Sequence, residues 1–213
     1  MIRILLADDH PVVRDGLRAL LETQGDIEVV GNAANGREAV SLARQLQPDV
    51  VIMDIAMPEL NGIEATLVMQ EMAPPVQVLI LSMHSTTEHI FRALQSGARG
   101  YLLKDSAGAE VVSAVRAVHA GRRYLSQKIT ASVVDDYIAG RHRASPLETL
   151  SRRERQILQL VAEGKSSAAV GTLLFLSPKT VDTYRSRMMQ KLGISDLPSL
   201  VKFAIQNGLI ALD

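Results

Sequence analysis

The chain has 213 residues, 47% of them hydrophobic, enough for one large domain or two modest ones with real cores. It contains no cysteine, which excludes a disulfide framework, a thiolate metal site and a thiol nucleophile, and fits a reducing, cytoplasmic setting. Twenty-three basic and 23 acidic residues cancel, but unevenly: residues 1–120 carry 9 Lys/Arg against 15 Asp/Glu, residues 121–145 carry 5 against 2, and residues 146–213 carry 9 against 6. An acidic front and a basic back point to two modules with different partners. No apolar window is long enough for a membrane span. The opening run is too short for a signal peptide.

In the first half, apolar runs alternate with stretches of helical period. Ile2–Ala7 reads as a strand, and Pro11–Leu21 as a helix with Pro in its first turn. Ile27–Ala33 is a strand and Gly36–Leu46 a helix capped by Asn35. Val50–Met53 is a β-branched run covered on both faces, followed by a helix from Ile63 to Met72. Val76–Leu81 is a strand, Glu88–Leu94 lies in a helix, and Gly100–Leu103 is a short strand. Val111, Val112, Val115 and Val118 mark one face of a last helix that ends near Gly121. Five strands alternating with five helices imply an α/β, doubly wound parallel sheet, because each crossover must return over the sheet.

All strand ends in such a sheet point the same way. Polar groups therefore converge: Asp8 and Asp9 after the first strand, Asp54 after the third, Ser82 after the fourth and Lys104 after the fifth. Three carboxylates within ~4 Å would repel by ~4 kcal/mol per pair at an effective dielectric of about 20. A cation relieves this, and an oxygen-rich set suits Mg²⁺. A cation also keeps Asp54 ionised and nucleophilic and neutralises phosphoryl oxygens during in-line attack. Lys104 and the Ser82 hydroxyl can then hold an acquired phosphoryl group. The residues point to phosphoryl transfer onto an aspartate.

Asp8-Asp9, Met53-Asp54-Ile55-Ala56-Met57-Pro58, Asn61-Gly62, Leu81-Ser82-Met83 and Lys104 together resemble the receiver domain of two-component response regulators. The resemblance implies a flavodoxin-like sheet with Asp54 as phosphoacceptor. It further implies that Asp8, Asp9, Asp54 and the Ala56 carbonyl hold Mg²⁺, and that Ser82 and Tyr101 form a hydroxyl-and-aromatic switch pair. Departures are Asp105 after Lys104, Ala56 without a polar side chain, and Met83 and His84 after the switch hydroxyl. These last three are expected to hinder or misorient a hydrolytic water and lengthen the life of the phosphoryl group. Loop histidines His10 and His84 flank the site.

Residues 121–147 read as a linker, with Arg122-Arg123 and Arg141-His142-Arg143 polar and basic, and a break at Gly140. Ile129, Val133 and Tyr137 recur at helical spacing, which makes a short helix that could dock on either module. In residues 148–213, Ser151-Arg152-Arg153-Glu154 is a capping box opening a first helix, ended by Glu163-Gly164. Ser166-Ser167 opens a short second helix. Ser177-Pro178 starts a third that runs to Leu192, with Gly193 as its cap. Val181, Tyr184, Met188 and Leu192 form its buried face, and a fourth helix covers Leu200–Ile205. Two short helices, a tight turn and a polar third helix read as helix-turn-helix.

Leu150-Ser151-Arg152-Arg153-Glu154, Gly164-Lys165-Ser166, Leu176-Ser177, Thr180-Val181 and Lys191-Leu192-Gly193 resemble the LuxR-type DNA-binding domain. With a receiver in front, the chain resembles the NarL/FixJ family of transcription factors. That resemblance implies that Asp182, Thr183 and Ser186 face base edges while Lys179, Thr180, Arg185 and Arg187 approach phosphates. Ala168-Ala169-Val170-Gly171 departs from the family's usual acidic residue before Ile-Ala. Asp182 is acidic at a groove-facing position, where it can accept from cytosine or brace Arg185. The expectation is a phosphorylation-switched regulator with a cognate histidine kinase, double-stranded DNA, a second copy of itself on activation and RNA polymerase as partners, and no membrane. The alternatives are a constitutive DNA binder whose receiver is a dimerisation scaffold, and an aspartyl-phosphate phosphohydrolase. Ala56, where such an enzyme needs a general acid, argues against the latter.

Overall fold

The structure is a computed structural model describing residues 1–72, 76–138 and 145–210, without the side chains of Ala107, Ala109 and Tyr137. The basic stretch at 141–143, the break at Gly140 and the side chain of Tyr137 lie outside the described residues. The chain divides into two compact units, residues 1–142 and 143–213.

The first unit runs β1 (Ile2–Ala7), α1 (Pro11–Glu22), β2 (Ile27–Ala33), α2 (Gly36–Leu46), β3 (Val50–Met53) and α3 (Gly62–Gln70). It continues with β4 (Gln77–Ser82), α4 (Thr87–Gln95), β5 (Gly100–Leu103), α5 (Ala107–His119), β6 (Tyr124–Leu125) and α6 (Gln127–Ile138). The sheet is parallel throughout, in the order β2-β1-β3-β4-β5-β6. Side chains alternate between its faces, as a two-residue period requires. Leu5, Ala7, Val51, Met53, Ile80 and Tyr101 join one core, and Ile4, Leu6, Ile52, Leu79, Leu81 and Leu102 join the other.

The sheet has six strands rather than five. The sixth lies in the stretch read as linker, where Tyr124–Leu125 pairs with Gly100–Tyr101. Helix α6 follows and belongs to the first unit, because Ile129, 1% exposed, enters its core, with Leu125 and Val133 packed against the same cluster. Helix α3 stops at Gln70, short of Met72, and β4 extends to include Ser82.

The second unit has a short 3-10 turn (Pro146–Thr149), then α7 (Arg152–Ala162), α8 (Ser167–Leu174), α9 (Pro178–Leu192) and α10 (Leu197–Gln206). Its core gathers Ile157, Leu158, Leu160, Val170, Val181, Met188, Leu200 and Ala204. Helix α10 starts three residues before the expected Leu200. Asp196 caps it, accepting from the Ser199 amide at 2.8 Å, and Pro198 occupies the first turn.

Candidate phosphoacceptor site and nucleic-acid-facing helix

Ala7 of β1 pairs with Met53 of β3. The next residues, Asp8 and Asp54, therefore emerge side by side where the strand order reverses, the usual ligand position in an open α/β sheet. Ser82 pairs with Leu103, so Lys104 leaves β5 beside it, and the Lys104 amide donates to the Ser82 carbonyl at 2.9 Å. Both Asp8 and Asp54 are 3% exposed. Lys104 Nζ lies 2.7 Å from Asp8 Oδ2 and 2.7 Å from Asp54 Oδ2. Asp54 Oδ1 accepts the Ile55 amide at 2.7 Å. The loop beyond Asp54 is folded tightly back: the Gly62 amide donates to the Ile55 carbonyl at 2.9 Å, and a Cβ on Gly62 would fall 1.9 Å from the Asp54 carbonyl oxygen. Only glycine allows that approach. Ala56 sits half-buried inside this loop.

Asp9 is half-exposed. Its Oδ1 lies 2.8 Å from His10 Nδ1, which is also 3.1 Å from Asp8 Oδ1. His10 thus joins the acidic group, a contact that its place in sequence, one step beyond the acids, only hinted at. Ligand atoms of Asp8, Asp9, His10 and Asp54 all lie within 4.8 Å of one another. A cleft of about 220 Å³ opens beside Ser82, Lys104 and Lys128. A roomier hollow of about 690 Å³ lies at the other end of the strands, near Pro48 and His119, away from Asp8 and Asp54.

Burial pushes the Asp54 carboxyl up from 3.8 to about 6. Lys104 opposes that shift and the Asp8 charge adds to it. Burial also disfavours the Lys104 ammonium, yet Asp54 and Asp8 outweigh it and hold its pKa above the ordinary value. The two upward shifts have opposite origins: desolvation raises the Asp54 carboxyl, whereas the two carboxylates raise the Lys104 ammonium against its own desolvation. Asp54 is therefore ionised near neutral pH but not comfortably so.

Ser82 and Tyr101 are both fully buried. The Tyr101 hydroxyl donates to the His84 carbonyl at 2.7 Å, and the His84 amide donates to Ser82 Oγ at 3.2 Å. The β4–α4 loop thus ties the hydroxyl to the aromatic through His84. Burial raises the pKa of Tyr101, so it stays a donor. Burial, then the Lys104 charge, lowers that of His84, whose ring stacks on His89 with centroids 4.5 Å apart. Helix α6 reaches this region from two sides. Thr87 Oγ1 donates to Asp136 at 2.5 Å, and Lys128 pairs with Asp105 at 3.1 Å.

In the second unit, Ser177 Oγ accepts the Thr180 amide at 3.1 Å and starts α9. Val181 and Met188 are buried, while Lys179, Asp182, Thr183, Ser186 and Arg187 are exposed and Thr180 and Arg185 half-buried. The amphipathic division expected for α9 is present. Asp182 Oδ1 accepts from Ser167 Oγ of α8 at 2.6 Å, a partner neither cytosine nor Arg185. Buried Glu154 of α7 accepts from Lys191 Nζ of α9 at 2.7 Å as well as from the Ser151 amide at 2.7 Å. A capping residue in sequence therefore also ties the first helix of the unit to the third.

Residues 4–116 match the family model of the response regulator receiver domain, and residues 148–204 match that of bacterial regulatory proteins of the luxR family. The oxygen regulatory protein NreC of Staphylococcus carnosus is 40% identical over 215 residues, covering 98% of this chain and 99% of that protein. The transcriptional regulatory protein LiaR of Bacillus subtilis is 40% identical over 211 residues, covering 99% of this chain and 100% of its own. The chain belongs to the NarL/FixJ family of two-component response regulators. The crystal structure of the response regulator ChrA of a heme-sensing two-component system is 37% identical, covers 98% of each chain and superposes with a TM-score of 0.54.

A response regulator of this family couples a receiver to a LuxR-type DNA-binding domain, and the two units here are those modules. The receiver's acidic group fits a hard divalent cation. Its donors are carboxylate oxygens. Asp8 Oδ2 and Asp9 Oδ1 are buried without a directed hydrogen bond, and Asp9 Oδ1 meets only the His10 ring at 2.8 Å. The contact of Asp8 with Lys104 is an ion pair at 2.7 Å. Among the described residues, no helix is long and apolar enough to cross a membrane.

Proposed function

We propose that Asp54 takes a phosphoryl group from a cytoplasmic histidine kinase, and that the modified receiver controls DNA binding by the LuxR-type domain. The observation that carries this reading is the single ammonium of Lys104 held 2.7 Å from both buried carboxylates. A carboxylate oxygen of Asp54 bonds to phosphorus as the donor's phosphorus–nitrogen bond breaks, and the electron pair leaves on the imidazole. Asp8, Asp9, Asp54 and the Ala56 carbonyl would hold Mg²⁺, which when bound would supply neutralising charge for the phosphoryl oxygens. Lys104 then shifts its ion pair from Asp54 Oδ2 to a phosphoryl oxygen, and Ser82 donates its hydroxyl. This is transfer onto the protein itself, without turnover of an external substrate.

Ser82 movement strains the loop that carries His84, and with it the Tyr101 hydrogen bond. The change spreads over the face of α4, β5 and α5, about Thr87–Leu94, Tyr101 and Val111–Val118. Val111, Val115 and Val118 are themselves fully buried, so the accessible side of α5 is the one that carries Ser113, Arg116 and His119. The altered face favours a homodimer or frees α9. A two-fold dimer reads half-sites about 10 bp apart, with α9 in the major groove. Lys179, Thr180, Arg185 and Arg187 meet phosphates, and Asp182, Thr183 and Ser186 meet base edges. Ser167 holds one carboxylate oxygen of Asp182, so its other oxygen does the reading. RNA polymerase is the downstream partner.

The test is incubation with Mg²⁺ and acetyl phosphate, followed by intact-mass spectrometry. One phosphoryl group on the wild type and none on Asp54→Asn is expected. No modification of the wild type under these conditions or with an active kinase would sink the proposal. Solution mass and affinity for duplex DNA, each with and without beryllofluoride, test the output.

A further inference from the structure

Phe175 is the residue of the second unit whose backbone and side chain are hardest to explain by folding. It closes α8 in the left-handed region, at φ 56° and ψ 47°. There an L side chain crowds its own carbonyl, and glycine or asparagine is the usual choice. The turn imposes this conformation. The amide of Phe175 donates to the Gly171 carbonyl, as does that of Leu176 at 2.9 Å. A Cβ on Gly171 would lie 2.6 Å from the Leu176 carbonyl oxygen, so the two strands of the turn are as close as glycine permits. Gly171, within α8, is thus the residue that lets the turn close.

No packing offsets the strain. The Phe175 ring is 94% exposed, and it is absent from the unit's hydrophobic cluster. Strained non-glycine residues of this kind cluster at functional sites, and here the strain comes with an aromatic ring left in water. Its position says which surface it meets. It lies two residues before Ser177, the cap of α9, and four residues before exposed Lys179 in the first turn of that helix. In helix-turn-helix domains it is the amino-terminal end of this helix that enters the major groove.

Resting on the proposed role of α9, we propose that Phe175 is a further DNA contact, in which its ring packs on the apolar surface at the groove edge. That surface is the deoxyribose C–H face or the 5-methyl group of a thymine. The contact adds apolar burial to an interface that is otherwise polar and charged.

The experiment uses the full chain and a duplex selected by the wild-type protein from random DNA in Mg²⁺ and beryllofluoride. Phe175→Asn relieves the backbone and should leave the Tm of the second unit at or above wild type. Its affinity for the duplex should fall about tenfold, the loss expected for one partly buried ring. Phe175→Leu keeps both the strain and an apolar group and should bind within about threefold of wild type. Replacing flanking thymines by uracil separates the sources: sensitivity of the wild type, absent in Phe175→Asn, assigns the methyl group, and insensitivity assigns the sugar.

An affinity of Phe175→Asn within about twofold of wild type, beside a clear loss in Arg187→Ala, overturns this contact and leaves the role of α9 intact. Loss of self-association without DNA in Phe175→Asn also overturns it, because the ring then serves a protein contact. If the wild type selects no duplex, the reading of α9 fails first and the contact with it.

Discussion

Asp54→Asn should make the metal-free protein more stable near neutral pH, although it removes the residue on which signalling depends. Burial holds the Asp54 carboxyl at about 6 against an ordinary 3.8. The native state therefore binds a proton in a pH window where the unfolded chain has lost it. Stability from this group is fully present below pH 3.8 and declines as pH rises to about 6, then stays level. A gap of 2.2 between those two values, at about 1.4 kcal/mol per unit, places the cost of ionised Asp54 at about 3 kcal/mol. Asparagine mimics the neutral acid in shape and keeps an oxygen for the Ile55 amide. It forgoes the full ion pair with Lys104, so a gain of about 2–3 kcal/mol is expected at pH 7.5, or roughly 6–9 °C in the Tm of a unit this size.

The assay is thermal and urea denaturation of both proteins in EDTA, at pH 7.5 and at pH 4, following the receiver's transition. The gain should shrink toward zero at pH 4, where Asp54 is largely protonated. Added Mg²⁺ should narrow the difference at pH 7.5, since the wild type has one more charged ligand. A variant no more stable than wild type at pH 7.5, or a gain that persists unchanged at pH 4, would refute the electrostatic reasoning.

Gly62→Ala places a methyl group 1.9 Å from the Asp54 carbonyl oxygen, so the loop must open. A loss of about 3 kcal/mol or more in urea denaturation is expected, together with slower phosphorylation of Asp54. Glu154→Gln removes the charge that meets Lys191 at 2.7 Å. Burial works against ionised Glu154, but Lys191 and Ser151 outweigh it and hold its pKa below 4.5, so its stabilisation is present above pH 4.5 and lost as pH falls. The variant should cost the second unit about 1.5–3 kcal/mol at pH 7 and little near pH 3, read from its melting transition. Thr87→Val deletes the 2.5 Å hydrogen bond to Asp136. Amide hydrogen exchange should then quicken in α6 by about fivefold while the strands of the sheet are unaffected.

Most of the receiver was legible in order. The strands before Asp8, Asp54 and Lys104 are apolar runs, broken only by Arg3 near the start of the first, and a parallel sheet forces their polar successors to one edge. Asn35, Ser151 and Ser177 announce helix starts by chemistry that acts within four residues, whereas the Asn61 cap of α3 emerges only in the structure. Where the signal was short or indirect, sequence reasoning fell short. The two-residue strand Tyr124–Leu125 has no periodicity to detect, and exists because β5 offers it an edge. Asp196-Leu197-Pro198-Ser199 carries a cap and a first-turn proline, a local signal that starts α10 ahead of the apolar period at Leu200.

What the sequence determined by itself is therefore everything set by local period and by strand direction: the alternation of elements, the convergence of Asp8, Asp54, Ser82 and Lys104, and the amphipathic division of α9. Only the tertiary structure decided which partner each charge takes. Lys104 bridges two acids 96 and 50 residues earlier, Lys191 reaches back to Glu154, and Asp182 turns to Ser167. It also decided that α6 belongs with the receiver, through the burial of Ile129. The reason is physical: backbone patterns act over a few residues, whereas ion pairs and burial depend on distances in space that no spacing along the chain specifies.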